Sequence, residues 1–349
     1  MGFFGRLRTR RARERYMPLP RRIRSGTTAL IAMAVIVVTL TISLVLDWRS
    51  DPGNEAVLAW VEANATDPIR LIDRATRSRT VLLLGDVIGA AGPKRLAATL
   101  IDTLGLAGRL EAVALEVPAD QQTWIDLYLE TDPEDTSVLL THPRTIREGE
   151  GAEQSLLPIY RAVWRVNHVL GANRRIRIVA VDPAEWPPAP GFSPARALTT
   201  FAQRDSVMHA ILRTRILDRN PRARVLVFVD GLHVINAEAR AAAGGIAPVQ
   251  IRFLAARLAD SGVLPYSVLV DASRGAGANP PVTGYRAGPL HGMIRGRLAI
   301  PQNGLALPVA ESNLSTGWFA SPERPGLDFQ VLFPAPTLDG RIDAWVFLN

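Results

Sequence analysis

Cysteine is absent from the 349 residues, and lysine occurs once, at Lys94. Without thiols the chain can form no disulfide, no thiolate metal site and no cysteine nucleophile. A glycine-rich phosphate loop is missing too, since Gly89-Ala90-Ala91-Gly92 matches neither the P-loop nor the dinucleotide spacing. No G-x-S-x-G elbow, HExxH helix or CxxCH haem attachment occurs. Generic serine hydrolases, kinases and c-type cytochromes therefore find no motif support. The near-exclusive use of arginine, with abundant alanine, points to a GC-rich bacterial coding bias.

Charge is unevenly distributed. Residues 1–26 hold nine arginines against Glu14 alone, which leaves 31 basic and 32 acidic residues in the rest of the chain. The basic pI belongs to that tail, and no nucleic-acid partner is expected, because such binding needs a basic face on the folded domain. The run 27–46 carries no charge over 20 residues, enough helix to cross about 30 Å of hydrocarbon. Trp48 follows as an interfacial aromatic, with Asp47, Arg49 and Asp51 beyond it. A cleaved signal peptide fits less well, because the n-region is long and no small-x-small cleavage site follows Leu46. The expectation is a cell-membrane protein with a cytoplasmic basic tail (1–26), a single-pass transmembrane anchor (27–47), a helical linker (48–79) and an extracytoplasmic α/β domain (80–349). Its partners would be the lipid bilayer through 27–47 and anionic lipid at the arginine tail.

Beyond the linker, short apolar runs alternate with helical stretches. The runs 80–84, 112–115, 176–181, 225–229 and 266–270 read as strands, and 341–348 as a last one. The stretches 55–64, 68–77, 93–106, 119–129, 194–218 and 247–260 read as helices, the second opened by Asp67 as N-cap and Pro68 at its first position. Apolar runs this continuous suit strands covered on both sides. The fold class is α/β, a mostly parallel central sheet with helices on both faces, preceded by one N-terminal transmembrane helix. Residues 131–151 lack periodicity and read as a long loop. The glycine- and proline-rich last 75 residues read as an extension packed on the sheet.

Five of the strands end on a carboxylate: Asp86, Glu116, Asp182, Asp230 and Asp271. In open α/β sheets ligands bind beyond the carboxyl ends of the strands. An acidic rim there would call for a metal or arginine, with His233 as neutral nitrogen ligand or general base. Asp is equally a favoured cap and turn residue, and Asp182-Pro183 reads as a local turn. His142, His168, His209 and His291 have no partner at a recognisable spacing.

The order of these segments resembles the erythromycin-esterase/ChaN-like (haem-binding uptake, Tiki) superfamily. Val81–Ile88 with Pro93–Ala97 is similar to its opening strand and helix, and Leu115-Glu116 to the end of its second strand. Arg204-Asp205-x-x-Met208 resembles its Arg-Asp-x-x-Met helix, Gly231-Leu232-His233 its Gly-x-His element, and Asp343–Phe347 its closing strand. Where the family carries Gly-Glu-x-His, this chain has Gly85-Asp86-Val87-Ile88. Isoleucine can neither bind a metal nor carry a proton, so the resemblance implies a degenerate site, a pseudoenzyme. The expected function is a membrane-anchored domain binding a small ligand, haem among the candidates. The alternatives are a metal-dependent hydrolase of ester or peptide bonds and a non-catalytic interaction scaffold. Catalytic roles fall to Glu116 and His233, ligand contacts to Asp86, Arg204 and Asp205, and a divalent metal to Asp86, Glu116 and His233.

Overall fold

The computed structural model describes residues 30, 33–38, 52–87, 89–146, 155–186, 194–242, 247–272, 293, 294, 296–298, 300–309, 330–332 and 340–348. The chain divides into two compact units, Met1–Val57 and Leu58–Asn349. The first helices are α1 (Pro52–Asn64) and α2 (Pro68–Ala75). Asp67 starts α2 by accepting the Arg70 N–H at 3.0 Å, and Pro68 fills the first turn, where a missing N–H does no harm.

The α/β part runs β1 (Val81–Asp86), α3 (Ala91–Leu106), β2 (Ala112–Pro118), α4 (Gln122–Leu129), α5 (Ser137–Leu140), α6 (Leu157–Val169), β3 (Arg177–Asp182), α7 (Pro194–Leu212) and β4 (Val225–Asp230). It continues through β5 (Glu238–Ala242), β6 (Val249–Arg252), α8 (Leu254–Asp260), β7 (Tyr266–Ala272), β8 (Leu305–Pro308), β9 (Gln330–Leu332) and β10 (Ala344–Leu348). Seven strands form one sheet in the order β3-β2-β4-β1-β7-β10-β8, parallel except for β8. A small antiparallel sheet, β6-β5-β9, accompanies it.

Helices cover both faces of the large sheet. Leu82, Leu84, Val113, Leu115, Leu226 and Phe228 point to one side, into a core shared with Leu100, Ile101 and Leu104 of α3 and Val163 and Val166 of α6. Their alternates Leu83, Ala114 and Val227 are equally buried and face the other side, where α7 packs on β3 and on α8. Each fully buried Leu or Val contributes roughly 1.5–3 kcal/mol relative to exposure, so the continuous apolar runs are what drive these strands inward.

Two local expectations are corrected, and one helix is added. The helix expected over 247–260 begins only at Leu254, because Val249–Arg252 pairs with Glu238–Ala241 as a strand. The stretch 131–151 holds α5 and a 3-10 turn, Pro143–Thr145, and residues 147–151 lie outside the described ones. Helix α6 went unread, although Ile159, Val163 and Val166 recur at helical spacing on its buried side.

The membrane anchor is corrected as well. Among the described residues no helix is long and apolar enough to cross a membrane. Within 27–47 only Leu30 and residues 33–38 are described; these are helical, and the rest of the expected anchor lies outside the described residues. The transmembrane part of the fold class, the cell-membrane location, the extracytoplasmic placement and the lipid partners are therefore not retained.

Candidate functional site

Parallel pairing brings the carboxylate-bearing strand ends side by side. Asp86 and Asp230 are register partners at the ends of β1 and β4. Beside them β2 takes one residue more than β3 between Leu115 and Pro118, a bulge at Glu116–Val117. Bulges re-aim side chains at sheet rims, and here Glu116 reaches the space over β4. The chain passes closely at this point: a Cβ on Gly85 would lie 3.1 Å from Gly231 Cα and 3.3 Å from Val268 O, so any side chain there requires the backbone around it to give by a few tenths of an ångström.

Arg204 enters from α7 and binds two of the strand ends. Its Nε and Nη2 donate to Asp182 Oδ1 and Oδ2 at 2.9 and 2.8 Å, a two-pronged contact, and Nη2 also reaches Glu116 Oε1 at 2.5 Å. Glu116 Oε2 in turn accepts the Asp230 N–H. The Trp186 ring covers the guanidinium at 4.2 Å from its centroid. All three charged side chains are buried. Burial works against the Arg204 charge, but Asp182 and Glu116 outweigh it and hold the group far above its ordinary value. Two carboxylates share this one guanidinium. Burial pushes Asp182 up, and Glu116 adds to that against the pull of Arg204.

The next residue, Asp205, serves a different partner. Its Oδ1 lies 2.8 Å from His233 Nδ1 and also accepts the Leu254 N–H at 2.6 Å. A carboxylate oxygen has no proton to donate, so the imidazole is the donor, which puts the proton on Nδ1 and leaves Nε2 as the acceptor when the ring is neutral. Both residues are completely buried, and among the described residues neither His233 Nε2 nor Asp205 Oδ2 has a hydrogen-bond partner. Burial lowers the imidazolium's tendency to form, but the charge and hydrogen bond of Asp205 prevail, so His233 protonates above its usual value.

Asp86 pairs instead with the lone lysine: Lys94 Nζ lies 2.9 Å from Asp86 Oδ1 and 3.2 Å from the Val87 carbonyl. Asp230 Oδ1 accepts the Leu232 N–H, the local turn bond that places His233. The structure thus brings Glu116, Asp182, Arg204, Asp205 and His233 into one electrostatic cluster and gives Asp86 a partner of its own. The sequence places Asp182 both on the acidic rim and in a local turn, assigns Lys94 no ionic partner, and does not single out Trp186. A single lysine just after a strand ending in Asp was the one available signal for the second of these. Ile88 and His291 lie outside the described residues. His142 stacks on Trp124 and His168 tilts onto Trp164, while His209 contacts Ser261.

The metal expectation is corrected by this geometry. Asp86, Glu116 and His233 are tied to Lys94, Arg204 and Asp205 respectively, and among the described residues no three His, Asp or Glu side chains are disposed to hold a metal ion. The membrane-anchored ligand-binding role and the metal-dependent hydrolase are both set aside on these findings.

No family profile and no curated protein matches the sequence. Among solved structures, an erythromycin esterase in its open conformation aligns over 80% of this chain and 92% of its own, with a TM-score of 0.54 and 11% identity. A Bacillus cereus protein aligns over 84% and 97%, with a TM-score of 0.51 and 11% identity. A haem-bound ChaN of Campylobacter jejuni reaches a TM-score of 0.35 at 12% identity, over 61% and 91%, which is too distant to carry an argument. The class defined is an α/β domain with the erythromycin-esterase fold, and the likeness is one of fold alone.

Proposed function

We propose that the domain is an acid–base catalyst for hydrolysis of a carboxylic ester, working through the Asp205–His233 pair. The single observation behind this is a buried imidazole whose Nδ1 is held by a carboxylate while its Nε2 has no hydrogen-bond partner among the described residues. A carboxylate-oriented imidazole is the arrangement that removes a proton from an attacking hydroxyl and returns it to a leaving alkoxide. Here Nε2 takes the proton of a water attacking the acyl carbon, Asp205 stabilises the imidazolium, and the same proton goes to the departing alcohol. Arg204 holds Glu116 and Asp182 in place beside the pair and keeps the adjoining carboxylates from collecting uncompensated charge. The fold shared with an erythromycin esterase supports an ester as substrate.

Membership of that superfamily through a degenerate opening motif belongs to the same proposal. With isoleucine where the family has histidine, His233 is left as the imidazole that moves the proton. Because His233 is enclosed, a substrate reaches Nε2 only after the side chains above it move aside.

The test uses the full chain and a series of p-nitrophenyl esters. His233→Gln should lower kcat/KM by about 10²–10⁴-fold, with an unchanged far-UV circular dichroism spectrum. Asp205→Asn should lower it as well, by disturbing the tautomer. Hydrolysis by His233→Gln at the parental rate, or none by the parent above buffer, would reduce the pair to a structural contact.

A further inference from the structure

Among the described residues two basic side chains besides His233 are buried, Arg204 and Lys94, and both meet carboxylates at the ends of the parallel strands. Arginines such as Arg79, Arg109, Arg177 and Arg224 stand instead at the strand starts, along the opposite edge of the sheet. Arg204 holds the acids beside His233. Lys94 has no part in the proposed proton transfer, yet it and Asp86 are both completely enclosed.

Neither composition nor stability accounts for this pair. The other 39 of the 40 Lys and Arg residues are arginine, so the chain departs from its habit at one position. A compact ammonium with three N–H donors fits between a carboxylate and a carbonyl where a planar guanidinium needs more room. Burying two opposite charges costs about as much as their attraction returns, and apolar replacement of such a pair is often neutral or stabilising.

The neighbouring contacts connect the pair to His233. Lys94 lies in the first turn of α3 and reaches back to the end of β1, where Nζ meets Asp86 Oδ1 at 2.9 Å and donates to the Val87 carbonyl at 3.2 Å. The same carbonyl accepts the Ala90 N–H at 3.0 Å. Along the chain between these two anchored groups, the Asp86 carbonyl accepts the Gly231 N–H at 3.2 Å. Gly231 is also the residue that Gly85 approaches closely. It belongs to the turn in which the Asp230 carbonyl accepts the His233 N–H at 3.0 Å.

We infer that Lys94 is a positioning residue for His233. By clamping the Asp86 side chain and the Val87 carbonyl, it fixes the Asp86 carbonyl from which the His233 turn hangs. Its bearing on turnover rests on the proposed hydrolysis, whereas its placing of the ring does not.

In full-length protein the Nδ1 proton of His233, held by Asp205, is followed as a downfield NMR resonance assigned by its loss in His233→Gln. The double variant Asp86→Leu/Lys94→Met replaces the pair by apolar side chains. It should melt close to the parent but lose this resonance to exchange, because the ring no longer meets Asp205 squarely. Asp86→Asn, which keeps an oxygen toward Nζ, should retain it. In the p-nitrophenyl ester assay the double variant should lower kcat by about 10²-fold, the cost of a misplacement near 1 Å, with KM little changed. A resonance kept in the double variant, or lost in Asp86→Asn, would overturn the inference. Parental kcat alongside a lost resonance would count against hydrolysis through His233 while upholding the placement.

Discussion

Replacing Arg204 by methionine tests the central electrostatic claim. The substitution keeps most of the volume and removes three charge-assisted hydrogen bonds, two to Asp182 and one to Glu116. Two buried carboxylates then face each other without their cation. Removing one partner of a buried ion pair destabilises by about 3–5 kcal/mol, and the second carboxylate puts this variant at the upper end. The effect depends on pH in a definite direction. Asp182 already has a raised value in the folded protein, so the folded state holds its proton where the unfolded chain has lost it. Stability from this group therefore falls as pH rises from the ordinary carboxylate value, about 3.9, through the raised folded value. Without Arg204 the folded value rises further and the fall continues to higher pH, so the deficit should be largest at neutral pH and shrink on acidification. Urea unfolding of both proteins, followed by tryptophan fluorescence at about pH 5 and pH 7.5, measures this difference. A deficit below about 1 kcal/mol at neutral pH, or one that does not narrow in acid, would refute the buried triad.

Two further outcomes are expected. In an NMR titration His233 should protonate above the usual imidazole value of about 6.5, and Asp205→Asn should bring it down. The pair's stabilisation is then complete below the unfolded value and lost as pH rises through the folded one; an unshifted midpoint in both proteins would deny the contact. Gly85→Ala should destabilise by about 1–3 kcal/mol through overpacking, because its new methyl meets backbone at Gly231 and Val268. Thermal melting checks this, and an unchanged midpoint would show that β1 and the β4 turn can move apart.

Much of the α/β architecture was legible because it depends on neighbouring residues. Uninterrupted runs such as Val81–Leu84 and Val225–Val229 announce strands buried on both sides, and Asp67-Pro68 announces a helix start. The small sheet was not legible in this way. Glu238–Ala242 contains no apolar run, and Val249–Arg252 sits in a stretch with helical character; they become strands only because they pair with each other.

The candidate site divides along the same line. That strands end on carboxylates is written in the sequence, but which carboxylate meets which cation is not. Arg204 reaches Glu116 across 88 positions, while Asp205, one residue on, turns to His233, 28 positions away. A helix sends successive side chains in different directions, and only the packing of α7 against β3 and α8 determines what each one meets. Lys94 likewise removes Asp86 from the expected ligand set through a contact that no spacing rule describes. Composition established that acids and bases nearly balance outside the first 26 residues. The parallel sheet, which aligns every strand start at one edge and every strand end at the other, decided that they would lie apart.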